Sequence, residues 1–141
     1  MTASQRPIPV PDANSAGHWE AAARHVFALA RCPDCQRFSH PPDGICASCG
    51  AINPAFEFVP LSGNGRVRSW TVIRQALLPG FDRLVPYVLV DVELAEQADL
   101  RVIGRLLDGP EAEVTIGDAV KVEFDDVAEG VSIPEFRLVR A

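Results

Sequence analysis

All four cysteines of the chain fall in Cys32-Pro33-Asp34-Cys35 and Cys46-Ala47-Ser48-Cys49, two C-x2-C units separated by ten residues. Each unit makes a tight knuckle whose two sulfurs aim at one spot. Two knuckles facing each other supply four thiolates in a tetrahedron, the arrangement that suits zinc. Gly50 follows the second pair, where such a turn often needs a positive φ that glycine adopts without a Cβ penalty. The intervening stretch Gln36 to Ile45, with Pro41-Pro42-Asp43-Gly44, is long enough to return the chain as a short ribbon. Iron in the same four-sulfur cage is the alternative. A dithiol redox pair at Cys32 and Cys35 is the weakest reading, because it leaves Cys46 and Cys49 without a role. A closed tetrathiolate site keeps no open coordination position, so its expected role is structural. Metal binding there supplies folding free energy on the order of 10 kcal/mol to a segment too small for a core of its own.

The remaining residues are those of a folded chain: 141 residues with 48% hydrophobic and 23% charged side chains can bury a sizeable core. Twelve prolines argue against long helices and for short strands and turns. No run approaches 18 apolar residues, and the N-terminus lacks a charged end followed by an apolar stretch, which predicts a soluble, unexported, cytoplasmic protein. Thiols stay reduced there, which again favours ligands over disulfides.

Residues 1–15, with three prolines, read as a flexible arm whose Asn14 and Ser15 can cap a helix. Trp19, Ala22, Ala23, Val26, Phe27 and Ala30 then recur as one stripe of a 3.6-residue period, predicting an amphipathic helix over 16–31. Its apolar face must lie on something, either the protein's own core or a partner subunit. After the ribbon at 32–60 the pattern turns to β. Arg66 to Arg74 and Tyr87 to Leu94 alternate as half-buried strands, and Arg101 to Leu107, Ala119 to Phe124 and Pro134 to Val139 add three more. No crossover helix fits between them, so 61–141 is expected to form a small five-stranded antiparallel barrel, closed or partly open. The fold class is thus mainly β, an N-terminal helix and ribbon followed by an OB-type barrel.

A catalytic constellation is not legible. His18 and His25 sit seven apart, too far along a helix to share one metal ion, and read as solvent-facing or interface residues. His40, in the ribbon loop, is a conceivable substitute ligand only if one cysteine is unbound. No nucleophile elbow, phosphate loop or dinucleotide fingerprint occurs, and the pairs Asp125-Asp126 and Glu111/Glu113 lie in polar connections. Arg66, Arg68, Trp70 and Arg74, expected on one face of the first barrel strand, are the pattern of a single-stranded nucleic-acid groove. Yet the chain carries a net charge of −6, and 61–141 holds nine cations against fourteen carboxylates. That sign opposes nucleic acid and anionic membrane as partners.

The order of parts resembles a known family. A helix with Trp19-Glu20, then Cys32-x2-Cys35 and Cys46-x2-Cys49-Gly50, then Ser62-Gly63-Asn64-Gly65-Arg66-Val67-Arg68-Ser69-Trp70-Thr71-Val72, Pro86-Tyr87-Val88-Leu89-Val90-Asp91-Val92-Glu93-Leu94 and Ile116-Gly117-Asp118-Ala119-Val120-Lys121-Val122 looks like the DUF35 family. These are zinc-ribbon plus OB-fold proteins associated with acyl-CoA metabolism, and the likeness runs from about Gly17 to the end. It implies a noncatalytic partner, in a hetero-oligomer, of a thiolase-fold enzyme: a thiolase, an acyltransferase or an aldolase that shortens steroid side chains. In the aldolase systems a MaoC-type hydratase is bound or fused as well; no such domain is present in this sequence. Trp19, Val26 and Phe27 on the helix, and Leu77, Leu78 and Phe81 in the apolar loop Gln75 to Val85, are the expected partner contacts.

Overall fold

The computed structural model describes residues 6–140. Among these the order is α1 (Ala16–Ala23), β1 (Ala28–Arg31), β2 (Phe38–Ser39), β3 (Glu57–Pro60), β4 (Asn64–Ile73), β5 (Tyr87–Leu94), β6 (Arg101–Arg105), β7 (Ala119–Ala128) and β8 (Val131–Leu138). The architecture is mainly β, with one N-terminal helix, a four-cysteine ribbon region and antiparallel sheets. β2-β1-β3 form a three-stranded sheet and β6-β5-β4-β7-β8 a five-stranded one, each with antiparallel neighbours. A parallel bridge between Leu106 and Phe136 brings the two edges of the larger sheet together. That order and closure are those of the five-stranded, partly open OB barrel.

Period-2 alternation places the core. Val88, Val90, Val92 and Leu94 on β5 face Val102 on β6, Val67 on β4, Val120 and Val122 on β7, and Phe136 and Leu138 on β8. Phe136 is wholly buried, and a Cβ on Gly104 would lie 2.9 Å from its ring, so the smallest side chain faces the largest. On β4 the register shifts between Val67 and Ser69. This bulge reverses the side-chain parity expected for the strand. Trp70 and Val72 therefore stand opposite Val90 and Val88, and the cations do not share one uninterrupted face with Trp70.

The helix expected over 16–31 ends at Ala23. His25 takes a left-handed φ of 58°, its N–H reaches the Ala22 carbonyl and the Val26 N–H reaches that of Ala21. This is a Schellman ending with histidine where glycine is usual. The imidazole is held in place: it stacks on Phe124 at 5.1 Å and bonds the Asp126 carboxylate at 2.7 Å. Past the turn, Ala28–Arg31 pairs with both β2 and β3 and runs through the centre of the small sheet. The buried face of α1 is His18, Ala21 and Ala22; of the expected stripe within α1 only Ala22 is buried, while Trp19 is half-buried and Ala23 exposed.

Of the arm expected over 1–15, residues 1–5 lie outside the described residues. Arg6 packs inward, its guanidinium 5.1 Å from the centre of the Phe81 ring and 3.8 Å from Asp125. Ser15 does not cap α1 with its side chain. Its hydroxyl and N–H, with the Asn14 N–H, bond the Asp12 carboxylate, which is thereby held below the usual aspartate range.

Candidate metal centre and docking surface

The two knuckles repeat one backbone pattern. Gln36 N–H donates to Cys32 C=O at 2.8 Å and Cys32 N–H to Arg37 C=O; Gly50 N–H donates to Cys46 C=O at 2.9 Å and Cys46 N–H to Ala51 C=O. The residue after each second cysteine is left-handed, Gln36 at φ 66° and Gly50 at 78°. The glycine signalled the second turn; Gln36 gave no such signal, and its side-chain amide stabilises the first turn by donating to Pro33 C=O at 2.8 Å.

Cys32, Cys35, Cys46 and Cys49 are thereby brought together, their Sγ atoms all within 4.8 Å of one another. Cys32 and Cys49 are 3.8 Å apart and Cys35 and Cys46 3.7 Å. A tetrahedron with ~2.3 Å metal–sulfur bonds requires sulfurs ~3.8 Å apart, so the donor set fits such an ion. No bond joins them; all four are free thiols. Backbone N–H groups of Cys49 and Ser48 bond the Cys46 sulfur and pull its thiol down to about 6, whereas, against a backbone N–H from Ala51, burial and the neighbouring sulfurs push the Cys49 thiol up to about 12. Cys32 and Cys46 are buried and Cys49 is exposed, so one edge of the cage faces outward.

The ribbon is bolted to the barrel. Gln97, in the β5–β6 connection, accepts from Phe38 N–H at 2.8 Å and donates to Phe38 C=O at 3.1 Å, acting as one residue of an extra strand beside β2. On the opposite side His18 is buried, not solvent-facing, and its Nδ1 lies 2.9 Å from the Ala28 carbonyl. That acceptor fixes the proton on Nδ1. His40 packs 5.3 Å from the His18 ring, and burial, followed by the neighbouring His18, pushes its pKa down to about 4. The sulfur positions account for a full ligand set without His40.

The polar clusters elsewhere are internally paired. Arg105 bonds Asp125 at 2.9 Å, and buried Glu135 accepts from Arg105 N–H at 2.8 Å. Burial raises the Glu135 carboxyl above its usual range against the pull of Arg105. Arg66 donates to Gly117 C=O, Arg68 pairs with Glu93 at 3.2 Å, and Arg101 with Asp91 at 2.9 Å. The cations that suggested a nucleic-acid groove are therefore largely committed to the protein's own acceptors. Sequence reasoning missed the His18–His40 contact, the Gln97 clamp and the Arg105–Glu135 pair, because each joins residues far apart in the chain.

Of the expected partner contacts, Phe27 is buried at 4% exposure in the barrel core and is unavailable to a partner. Trp19, Val26 and Phe81 are half-buried. Leu77 and Leu78 stand out, 83% and 55% exposed on the β4–β5 loop. No helix among the described residues is long and apolar enough to cross a membrane.

A four-cysteine ribbon fused to an OB barrel defines a class of protein, and comparison places the chain within it. Residues 19–53 match the family model described as "ChsH2, rubredoxin-like zinc ribbon domain" and residues 58–125 that described as "ChsH2, C-terminal OB-fold domain". A DUF35 domain-containing scaffold protein of Methanocaldococcus jannaschii is 32% identical over 106 residues, covering 75% of this chain and 72% of the relative. The chain belongs to the DUF35 family. A probable enoyl-CoA hydratase alpha subunit of Thermomonospora curvata is 30% identical over 132 residues, of which this chain spans 94% of itself but only 40% of the relative. Among solved structures, a chain of one described as "Ltp2-ChsH2(DUF35) aldolase" superposes with a TM-score of 0.77 at 28% identity, covering 92% of this chain and 98% of that one.

Proposed function

We propose that this chain is a noncatalytic accessory subunit that binds and stabilises or activates a thiolase-fold acyl-CoA enzyme, whether a thiolase, an acyltransferase or a steroid side-chain retro-aldolase. The observation that carries this reading is the near full-length likeness to a chain of an aldolase complex. A relative named as a scaffold protein supports the same role. Cys32, Cys35, Cys46 and Cys49 hold one structural zinc ion, which fixes the ribbon and offers no site for chemistry. The exposed pair Leu77 and Leu78, with half-buried Phe81 of the same loop, forms one docking contact, and half-buried Trp19 and Val26 form another.

The test is co-expression with a thiolase-like enzyme encoded beside this chain, followed by size exclusion and an acyl-CoA assay with and without the chain. A co-eluting complex, with enzyme yield or turnover raised by the chain, is the expected result. Separate elution with unchanged turnover would overturn the reading.

A further inference from the structure

The seam that closes the barrel stops short. β6 and β8 meet at the Leu106–Phe136 bridge, where Leu107 N–H donates to Phe136 C=O at 2.8 Å. The next rung of this parallel ladder would pair Gly104 with residue 134 and need the N–H of residue 134 to donate to the Ile103 carbonyl. Residue 134 is proline and has no N–H. The Arg105 N–H, which the same rung would turn toward Pro134 C=O, is taken by Glu135 Oε1 at 2.8 Å.

Among the described residues, β6 is an edge beyond that point. Leu94 N–H bonds Leu100 C=O and Leu106 N–H bonds Val88 C=O, so the even-numbered residues of β6 carry the ladder to β5. In an antiparallel pair the alternate residues turn their N–H and C=O away, and Ile103 is one of these. It is 67% exposed and borders a cleft of about 240 Å³ whose walls include His18, Trp19, His40, Phe58 and Pro134.

We propose that the β6 edge at Ile103 is a strand-addition site: an extended segment of the partner enzyme pairs its backbone with the N–H and C=O of Ile103 and sets an apolar side chain into the adjoining cleft. The inference rests on the accessory-subunit reading above. Outward main-chain groups call for an extended peptide, because another backbone matches the spacing of a strand's donors and acceptors. The cleft supplies the side-chain preference. Its carboxylate, Glu135, is already paired with Arg105, so a charged side chain would find no opposite charge to offset its desolvation. The segment therefore carries an aliphatic or aromatic residue at this position.

The experiment uses the full chain and its neighbouring thiolase-like enzyme. Ile103→Pro deletes the outward N–H while sparing the β5 ladder, and Ile103→Ala keeps that N–H. Ile103→Pro is expected to weaken the complex about tenfold and Ile103→Ala only about two- to threefold, the loss of one backbone bond against that of a few methyl groups. Amide exchange on the wild-type chain supplies the second measurement: Ile103 exchanges fast and Gly104 slowly in the free protein, and Ile103 becomes protected in the complex. A slow Ile103 amide in the free protein, whether covered by a second copy or by the chain itself, overturns the proposal without any partner. So does an Ile103→Pro variant that folds and binds as tightly as wild type. Where that variant fails to fold, an unprotected Ile103 in the wild-type complex overturns strand addition alone. A wild-type chain that binds no thiolase-like enzyme overturns both readings.

Discussion

The burial of His40, beside His18, makes stability fall as the pH drops. An unfolded histidine titrates near 6.5, and in the folded protein burial and the adjacent His18 hold His40 at about 4. A lowered folded-state pKa means that the unfolded chain binds the extra proton, so this stability is full above pH 6.5 and is lost as pH falls toward 4. The gap of about 2.5 pH units sets an upper limit of ~3.4 kcal/mol, of which ~1.3 kcal/mol is lost between pH 7.5 and 5.5. His40 keeps some solvent access, so screening brings the expected loss over that interval to roughly 0.7 kcal/mol. Burial lowers His18 in the same direction and adds to it. The assay is denaturant unfolding followed by tryptophan fluorescence at pH 7.5, 6.5 and 5.5, at fixed free zinc, on wild type and His40→Phe. Proton competition at the cysteines is common to both proteins and cancels in the difference. Wild type should lose more stability than the variant by about the stated amount. Parallel curves, or a variant more acid-sensitive than wild type, would refute the reasoning that burial keeps His40 neutral.

Two further predictions follow from packing and from the metal cage. A Cβ added at Gly65 would sit 2.4 Å from Val92 Cγ1 and 2.7 Å from Glu93 O, and the backbone oxygen cannot give way cheaply. Gly65→Ala is therefore expected to lower stability by ~2 kcal/mol in urea unfolding, and a change under about 0.5 kcal/mol would contradict the packing at the start of β4. Cys46→Ser should abolish stoichiometric metal binding, measured by elemental analysis, and lower both solubility and the melting temperature; retained metal at one ion per chain with an unchanged melting temperature defeats the structural-metal assignment.

What the sequence made legible is what short-range chemistry encodes. The knuckles were readable because C-x2-C spacing forces two sulfurs together whatever surrounds them. The barrel strands were readable because Val88, Val90, Val92 and Leu94 alternate without interruption. The helix boundary failed because its terminator is His25, whose left-handed conformation depends on Phe124 and Asp126, about a hundred residues away. The apolar stripe through Val26 and Phe27 then continued smoothly into a strand, and a period-3.6 pattern of mixed alanines could not reveal the change. The face of Arg66, Arg68 and Trp70 failed for a similar reason, since a bulge carries no residue signature here. Pro134 reads in the sequence as the start of the last strand; that it removes a donor toward β6 is disclosed only by the strand order.

That helix error changes how the two modules relate. A long helix ahead of an independent ribbon would leave the metal domain as an appendage, able to unfold alone. Instead β1 runs out of the barrel itself: Phe27 and Leu29 belong to the same buried cluster as Val67, Val90 and Phe136, and Leu61 N–H returns to Phe27 C=O at 2.7 Å. Phe38, three residues after the first cysteine pair closes at Cys35, packs against that cluster and is clamped by Gln97. Loss of the sulfur cage thus frees a strand whose side chains complete the barrel's core, and the lost contacts are shared by both modules. This is why Cys46→Ser is expected to shift one cooperative transition of the whole chain, with barrel tryptophan Trp70 and ribbon-side Trp19 reporting the same midpoint, and not to remove a small early transition while the barrel melts as before.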